Sequence, residues 1–181
     1  MATRTTVDQG TAGWAGERLD WSAIVVSGLV AGLVFMMAEM LLVPLALGGS
    51  AWGPPRMIAA IVMGEGVLPP PATFEAGVFL VALLVHFTLS VIYAFLLDLI
   101  VRRMGAGASL AVGAVFGIAL YVVNFYGFTA VFPWFAMARN WVSAVSHVIF
   151  GLVTAGTYVA LRRRHARHET RERATPAVAG A

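Results

Sequence analysis

The stretch WSAIVVSGLVAGLVFMMAEMLLVPLAL, residues 21–47, decides the class of the fold. It is long enough to cross a bilayer core, which takes about 20 mostly apolar residues. Within it stand two small-residue notches, Gly28 and Gly32, and one carboxylate, Glu39. Setting an ionisable group in hydrocarbon costs about 2.5–3.5 kcal/mol on insertion scales, so a carboxylate at that depth is a candidate functional residue whose partners must be sought.

The rest of the 181 residues has the same character: 60% are hydrophobic and only 12% charged, with a mean hydropathy of +0.84. A soluble domain is about half apolar and about a quarter charged. Three further runs, 74–101, 109–131 and 142–161, join 22–47 as candidate spans. They predict an all-α integral membrane four-helix bundle over 22–161, between a polar arm at 1–21 and a basic tail at 162–181. No stretch is left for a soluble catalytic domain. The absence of cysteine excludes disulfides, thiolate metal sites, iron–sulfur clusters and covalent haem attachment. The first run exceeds the roughly 7–15 residue core of a signal peptide and is read as retained.

Charge distribution sets the expected topology. All 12 basic residues are arginine. Arg4 and Arg18 precede the first span, Arg102 and Arg103 lie between the second and third, and six arginines from Arg162 to Arg173 follow the fourth. Only Arg56 and Arg139 fall in the other connections. By the positive-inside rule both termini are cytoplasmic and the loops at 51–73 and 132–140 face outward. In the first outer loop, the apolar part of Ala51 to Met63 is too short to span, and Pro55, suited to a first helical position, with Gly64 as a stop delimits a short interfacial or re-entrant helix. Pro69 to Pro71 then form a stiff extended return.

The polar side chains of the spans fall on helical stripes. The second carries Phe79, Ala82, His86, Ser90 and Tyr93; the third Gly113, Gly117, Tyr121, Asn124 and Phe128; the fourth Ser143, His147, Phe150, Thr154 and Tyr158. Asp98 is expected to pair with Arg102, four residues on. Laid over the third span without gaps, the first aligns Gly28 with Gly113, Gly32 with Gly117 and Glu39 with Asn124. The span after each carries one histidine. This pattern reads as two copies of a helical hairpin related by an axis along the membrane normal, although glycine pairs at this spacing are common packing notches in membrane helices.

At about 1.5 Å rise per residue, Glu39, Asn124 and His147 come out roughly 6 Å outward of the bilayer centre and His86 roughly 2 Å. They form the candidate intramembrane polar site, with Arg56 and Arg139 as candidate outer gates and the four glycines as packing residues. Three readings of the site stay open. It is a proton or ion site, a metal or non-covalent haem site at His86 and His147, or a set of hydrogen bonds that fixes the bundle at about 0.6 kcal/mol per bond. No cofactor is predicted and no catalytic residue is assigned, because no nucleophile–base pair, phosphate loop or dense metal motif appears. The expected partners are the bilayer, anionic lipid at the arginine tail, and a second copy or a larger membrane complex; nucleic acid is not expected, since His165, His168, Glu169 and Glu172 interrupt the tail.

The segment from Gly48 through Trp52-Gly53-Pro54-Pro55-Arg56 to Ala60, with Asn124 to Thr129, Phe132 to Phe135 and Arg139 to Trp141, resembles a group of small proteobacterial inner-membrane proteins. The resemblance covers most of 22–161. It implies the fold class and the bacterial inner membrane. Some members carry the label "sodium:proline symporter", but such symporters resemble much longer chains with more spans and discontinuous core helices, so the resemblance implies no activity and no catalytic residue. The functional expectation is a small multi-pass inner-membrane protein that handles protons or ions or acts as a transporter; the alternatives are a non-catalytic accessory or structural protein and a metal or haem protein.

Overall fold

The computed structural model describes residues 19–68, 70 and 72–174, with side chains to residue 168. The polar arm at 1–18, Pro69, Pro71 and the end of the tail at 175–181 lie outside the described residues. Five α-helices carry the fold: α1 Trp21–Leu47, α2 Gly53–Met63, α3 Ala76–Val101, α4 Ala106–Val122 and α5 Trp141–Ala174. No strand occurs among the described residues. Four segments are long and apolar enough to cross a membrane: Trp21–Leu47, Ala76–Val101, Ala106–Ala130 and Trp141–His168.

Each helix end has a local cause. Asp20 caps α1, its Oδ1 accepting from the Ala23 amide at 3.0 Å and the Ser22 hydroxyl at 2.9 Å. His165, far along α5, donates to the other Asp20 oxygen at 2.6 Å and ties the two helices together at this end. Burial favours the protonated acid, yet the Ala23 amide, His165 and Ser22 together hold the Asp20 carboxyl below its usual range. At the far end α1 passes Pro44 and stops at Gly48, where φ is +68°, a value that favours glycine. Gly64 ends α2 in the same way at φ +79°. Asn140 caps α5 by accepting from the Ser143 amide at 3.0 Å, and the helix runs to Ala174, well beyond the span at 142–161, because helix formers continue without a break.

The third span departs from a continuous helix. α4 ends at Val122 and gives way to a π-helical turn at Val123–Gly127 and a 3-10 turn at Phe128–Ala130. The expected Asp98–Arg102 pair does not form. Asp98 is 1% exposed and neither carboxylate oxygen has a hydrogen-bond partner among the described residues. It sits against Tyr158 of α5, because its face of α3 turns into the bundle, away from the arginine turn.

Packing follows the glycines. α1 packs on α3 and α5, and α5 packs on α4, while α3 and α4 scarcely touch. A Cβ at Gly28 would lie 2.8 Å from Val91 Cα and 3.1 Å from Ala94 Cβ; one at Gly113 would lie 2.5 Å from the Gly151 carbonyl oxygen and 2.8 Å from Ala155 Cβ. The same offset relates His86 to His147, Ser90 to Gly151 and Ala94 to Ala155. Both hairpins are therefore packed in one register, as the aligned glycine pairs require. Their outer faces carry Leu29, Leu33, Met37, Leu80, Leu84 and Val115, all exposed, which suits a bilayer and not water.

Gly117 and Gly151 meet backbone atoms of the facing helix, so Gly117→Ala and Gly151→Ala should each destabilise the bundle by about 1–3 kcal/mol. Gly77→Ala, in open space near the start of α3, should cost nothing. Reversible unfolding in mixed micelles measures the difference.

Candidate functional site

A hydrogen-bonded chain crosses the bundle and engages all four spanning segments. It begins at Glu39 on α1, whose Oε2 accepts from the Ser143 hydroxyl of α5 at 3.3 Å. The Ser143 carbonyl accepts from His147 Nδ1 one turn on, at 2.7 Å. A carbonyl can only accept, so Nδ1 carries the proton. Nε2 then accepts from the Asn124 amide at 3.2 Å, and Asn124 Oδ1 accepts from the Tyr93 hydroxyl of α3 at 3.0 Å. Each donor has one acceptor, and all the bonds run in a consistent direction.

Asn124 keeps the stripe of Gly113 and Gly117 and reaches both Tyr93 and His147, while within the π-helical turn Phe125 is buried as well. Such turns concentrate at functional sites.

His86 stands apart from the chain. Its Nε2 lies 2.8 Å from the Gly32 carbonyl and donates to it, which leaves Nδ1 as an acceptor. Phe35 separates the two histidines: its ring stacks on His86 at a centroid distance of 5.6 Å and meets His147 edge-on at 4.8 Å. Both His147 nitrogens are engaged. Among the described residues no group of three His, Cys, Asp or Glu side chains is placed to share a metal ion.

Glu39 is 5% exposed. Ser146 lies beside the same carboxyl, yet neither Glu39 Oε1 nor Ser146 Oγ has a hydrogen-bond partner among the described residues. The candidate polar set is thus partly assembled. Glu39, His147 and Asn124 are connected through Ser143, and His86 faces them across Phe35.

A cavity of about 330 Å³ opens beside this chain. His86, Ser90 and Tyr93 of α3, Leu120 of α4, Asn124, and His147 with Phe150 of α5 form part of its wall; Phe35, Phe125, Phe128, Phe132 and Phe135 supply most of the rest, with Leu89 and with Ile58 and Ile61 of α2. Glu39 is not on the wall. Neither is Arg56 or Arg139. Arg56 is buried and donates to the carbonyls of Thr73 at 2.9 Å and Val67 at 2.8 Å, with Glu75 at 3.4 Å, so it holds the return from α2 to α3. Arg139 donates to the Phe125 carbonyl at 2.6 Å and to Thr129 at 3.0 Å, and lies 4.4 Å from the Tyr126 ring centroid, so it closes the π-helical turn. Trp134 ties the segment before α5 to α2 by donating to the Met57 carbonyl at 3.0 Å.

Tyr93 and Ser143 lay on the polar stripes but were not singled out from the sequence. Phe35 carried no polar signal, although it stands one turn before Glu39. Fold and site define a small multi-pass membrane protein with four candidate spanning helices. No protein-family model, no curated protein and no solved structure matches the chain.

Tyr93→Phe should cost about 0.6 kcal/mol, and Asn124→Leu up to about 2 kcal/mol because it leaves two partners unpaired. The double variant should cost less than the sum. Strict additivity in a double-mutant cycle would show that the two side chains are not bonded.

Proposed function

We propose that the protein binds a small, largely apolar molecule taken from the bilayer, in the cavity between α3 and α4. The single observation that carries this reading is where the cavity lies. The two hairpins are packed alike, so the contact of α1 with α5 has its counterpart in α3 and α4. The first is closed and the second is open. The opening is large enough for a ligand, since small-molecule sites start at about 300 Å³. Its wall is mainly aromatic and aliphatic, which favours an uncharged body. Its polar features are few and fixed in direction: His86 Nδ1 offers an acceptor, and the second Asn124 N–H offers a donor. A ligand with one hydroxyl on an apolar ring would satisfy both, donating to His86 Nδ1 and accepting from Asn124. The distribution of arginine and the family resemblance support a bacterial inner-membrane location with both termini inside.

Protein extracted in mild detergent should carry one such molecule at near-stoichiometric level by native mass spectrometry. Leu89→Trp, which fills the cavity from α3, should lose the molecule while remaining folded. An empty wild-type protein would overturn this reading.

A second reading, proton or ion handling, is favoured by the buried, unpartnered Oε1 of Glu39 at the end of a chain that leads to the cavity wall. Glu39→Gln and His147→Ala should then abolish proton flux into liposomes without loss of fold. Equal flux in wild type and both variants rules this reading out.

A further inference from the structure

A second opening lies at the other end of the α3–α4 seam. It measures about 290 Å³ and is lined by Arg102 and Arg103 from the turn after α3, Ala106 at the start of α4, and Val159, Arg162 and Arg163 of α5, with apolar neighbours. Among the described residues no acidic side chain lines it. Arg162 is fixed in place, since one guanidinium nitrogen donates to the Arg102 carbonyl and its carbon lies 6.0 Å from the Tyr158 ring centroid. The first turn of α4 has no side-chain cap; its free amides and the positive end of the helix dipole add to the same field. We infer that this pocket is a phosphate-binding site that takes the phosphate group of an anionic phospholipid or a free phosphate.

Several features carry the inference together. The guanidiniums come from two separate segments, so the charge is concentrated by the fold and not only by the run of arginines in the sequence. The pocket is concave, and a planar guanidinium matches phosphate oxygens in pairs. Arg164 and Arg167 belong to the same basic run of α5 but do not line the pocket. They provide an internal control of equal charge.

Full-length protein should be incubated with phosphatidylglycerol or phosphatidylcholine in mixed micelles, and lipid retention read by native mass spectrometry. Wild type should retain phosphatidylglycerol in clear preference. The pair Arg103→Gln with Arg163→Gln should weaken that retention roughly tenfold or more, and the pair Arg164→Gln with Arg167→Gln by less than about twofold. All four side chains are exposed, so unfolding midpoints should not move. Displacement of the lipid by millimolar inorganic phosphate would assign the site to the free phosphate group; retention in its presence would assign it to the lipid headgroup. Equal loss in the two double variants, or no preference in wild type, would overturn the pocket in favour of diffuse attraction by the arginine-rich tail.

Discussion

How closely α5 can approach α4 governs the rest of this bundle. Inside hydrocarbon there is no gain from removing apolar surface from water, so helices hold together by close contact and by hydrogen bonds. Gly113, Gly117 and Gly151 let the two backbones meet, and a Cβ at any of them would strike a facing carbonyl. That contact fixes the depth of His147. Its main chain lies against Gly117, and its ring is thereby carried to Asn124 on one side while Ser143, one turn earlier, is carried to Glu39 on the other. The polar chain follows from a contact between glycines.

The two hairpins share a register but not an outcome. Where α1 meets α5, small residues recur: Ala23 and Ala155 belong to one buried cluster, Ala31 joins Phe150 in another, and Ser143 and Ser146 lie beside Glu39. Between α3 and α4 stand Leu89, Tyr93, Leu120 and the aromatic residues of the π-helical turn. Bulk there holds the helices apart, and the connections after α1 and before α5, joined by Trp134 to Met57, roof the space and leave it unfilled. Asn124 and Tyr93 keep the gap from widening by bonding across it.

Much of this arrangement was written in local pattern. Run length and hydropathy give the four spans, because a bilayer imposes a length on any helix that crosses it. Stripes of small and polar residues give the inward faces of α3 and α5, and the aligned glycine pairs give the common register. What was not legible depends on backbone geometry or on bonds from side chain to main chain, which have no spacing. The π-helical turn at Val123–Gly127, which buries Phe125 next to Asn124, is one case. Arg56 and Arg139 are another: the sequence shows lone outer arginines, while the fold spends them on carbonyls of their own loops. Asp98 illustrates the limit of neighbour rules, since Arg102 stands at pairing distance in sequence yet the carboxylate turns inward to Tyr158. The rise per residue puts Glu39 and the histidines near one depth, but depth carries no sign that Phe35 stands between His86 and His147.

The two openings have a common origin. Both border α5 on the side where α3 and α4 stay apart, one around His147 and Phe150, the other around Val159 and Arg163. Along α5, Phe150 and Val159 are separated by about 14 Å at 1.5 Å per residue. Between them the seam is closed by Val112 and Phe116 of α4, packed on the cluster of Ala94, Leu97 and Tyr158. A single failure to close thus produces two sites of opposite character. The aromatic one disfavours charge, because its wall is mainly aromatic and aliphatic and carries no cation or acid among the described residues. The arginine one favours anions, because guanidiniums from two segments converge there beside the start of α4, with no acid on its wall among the described residues. Their separation by a packed apolar plug means that each can be emptied or filled by substitution without altering the wall of the other.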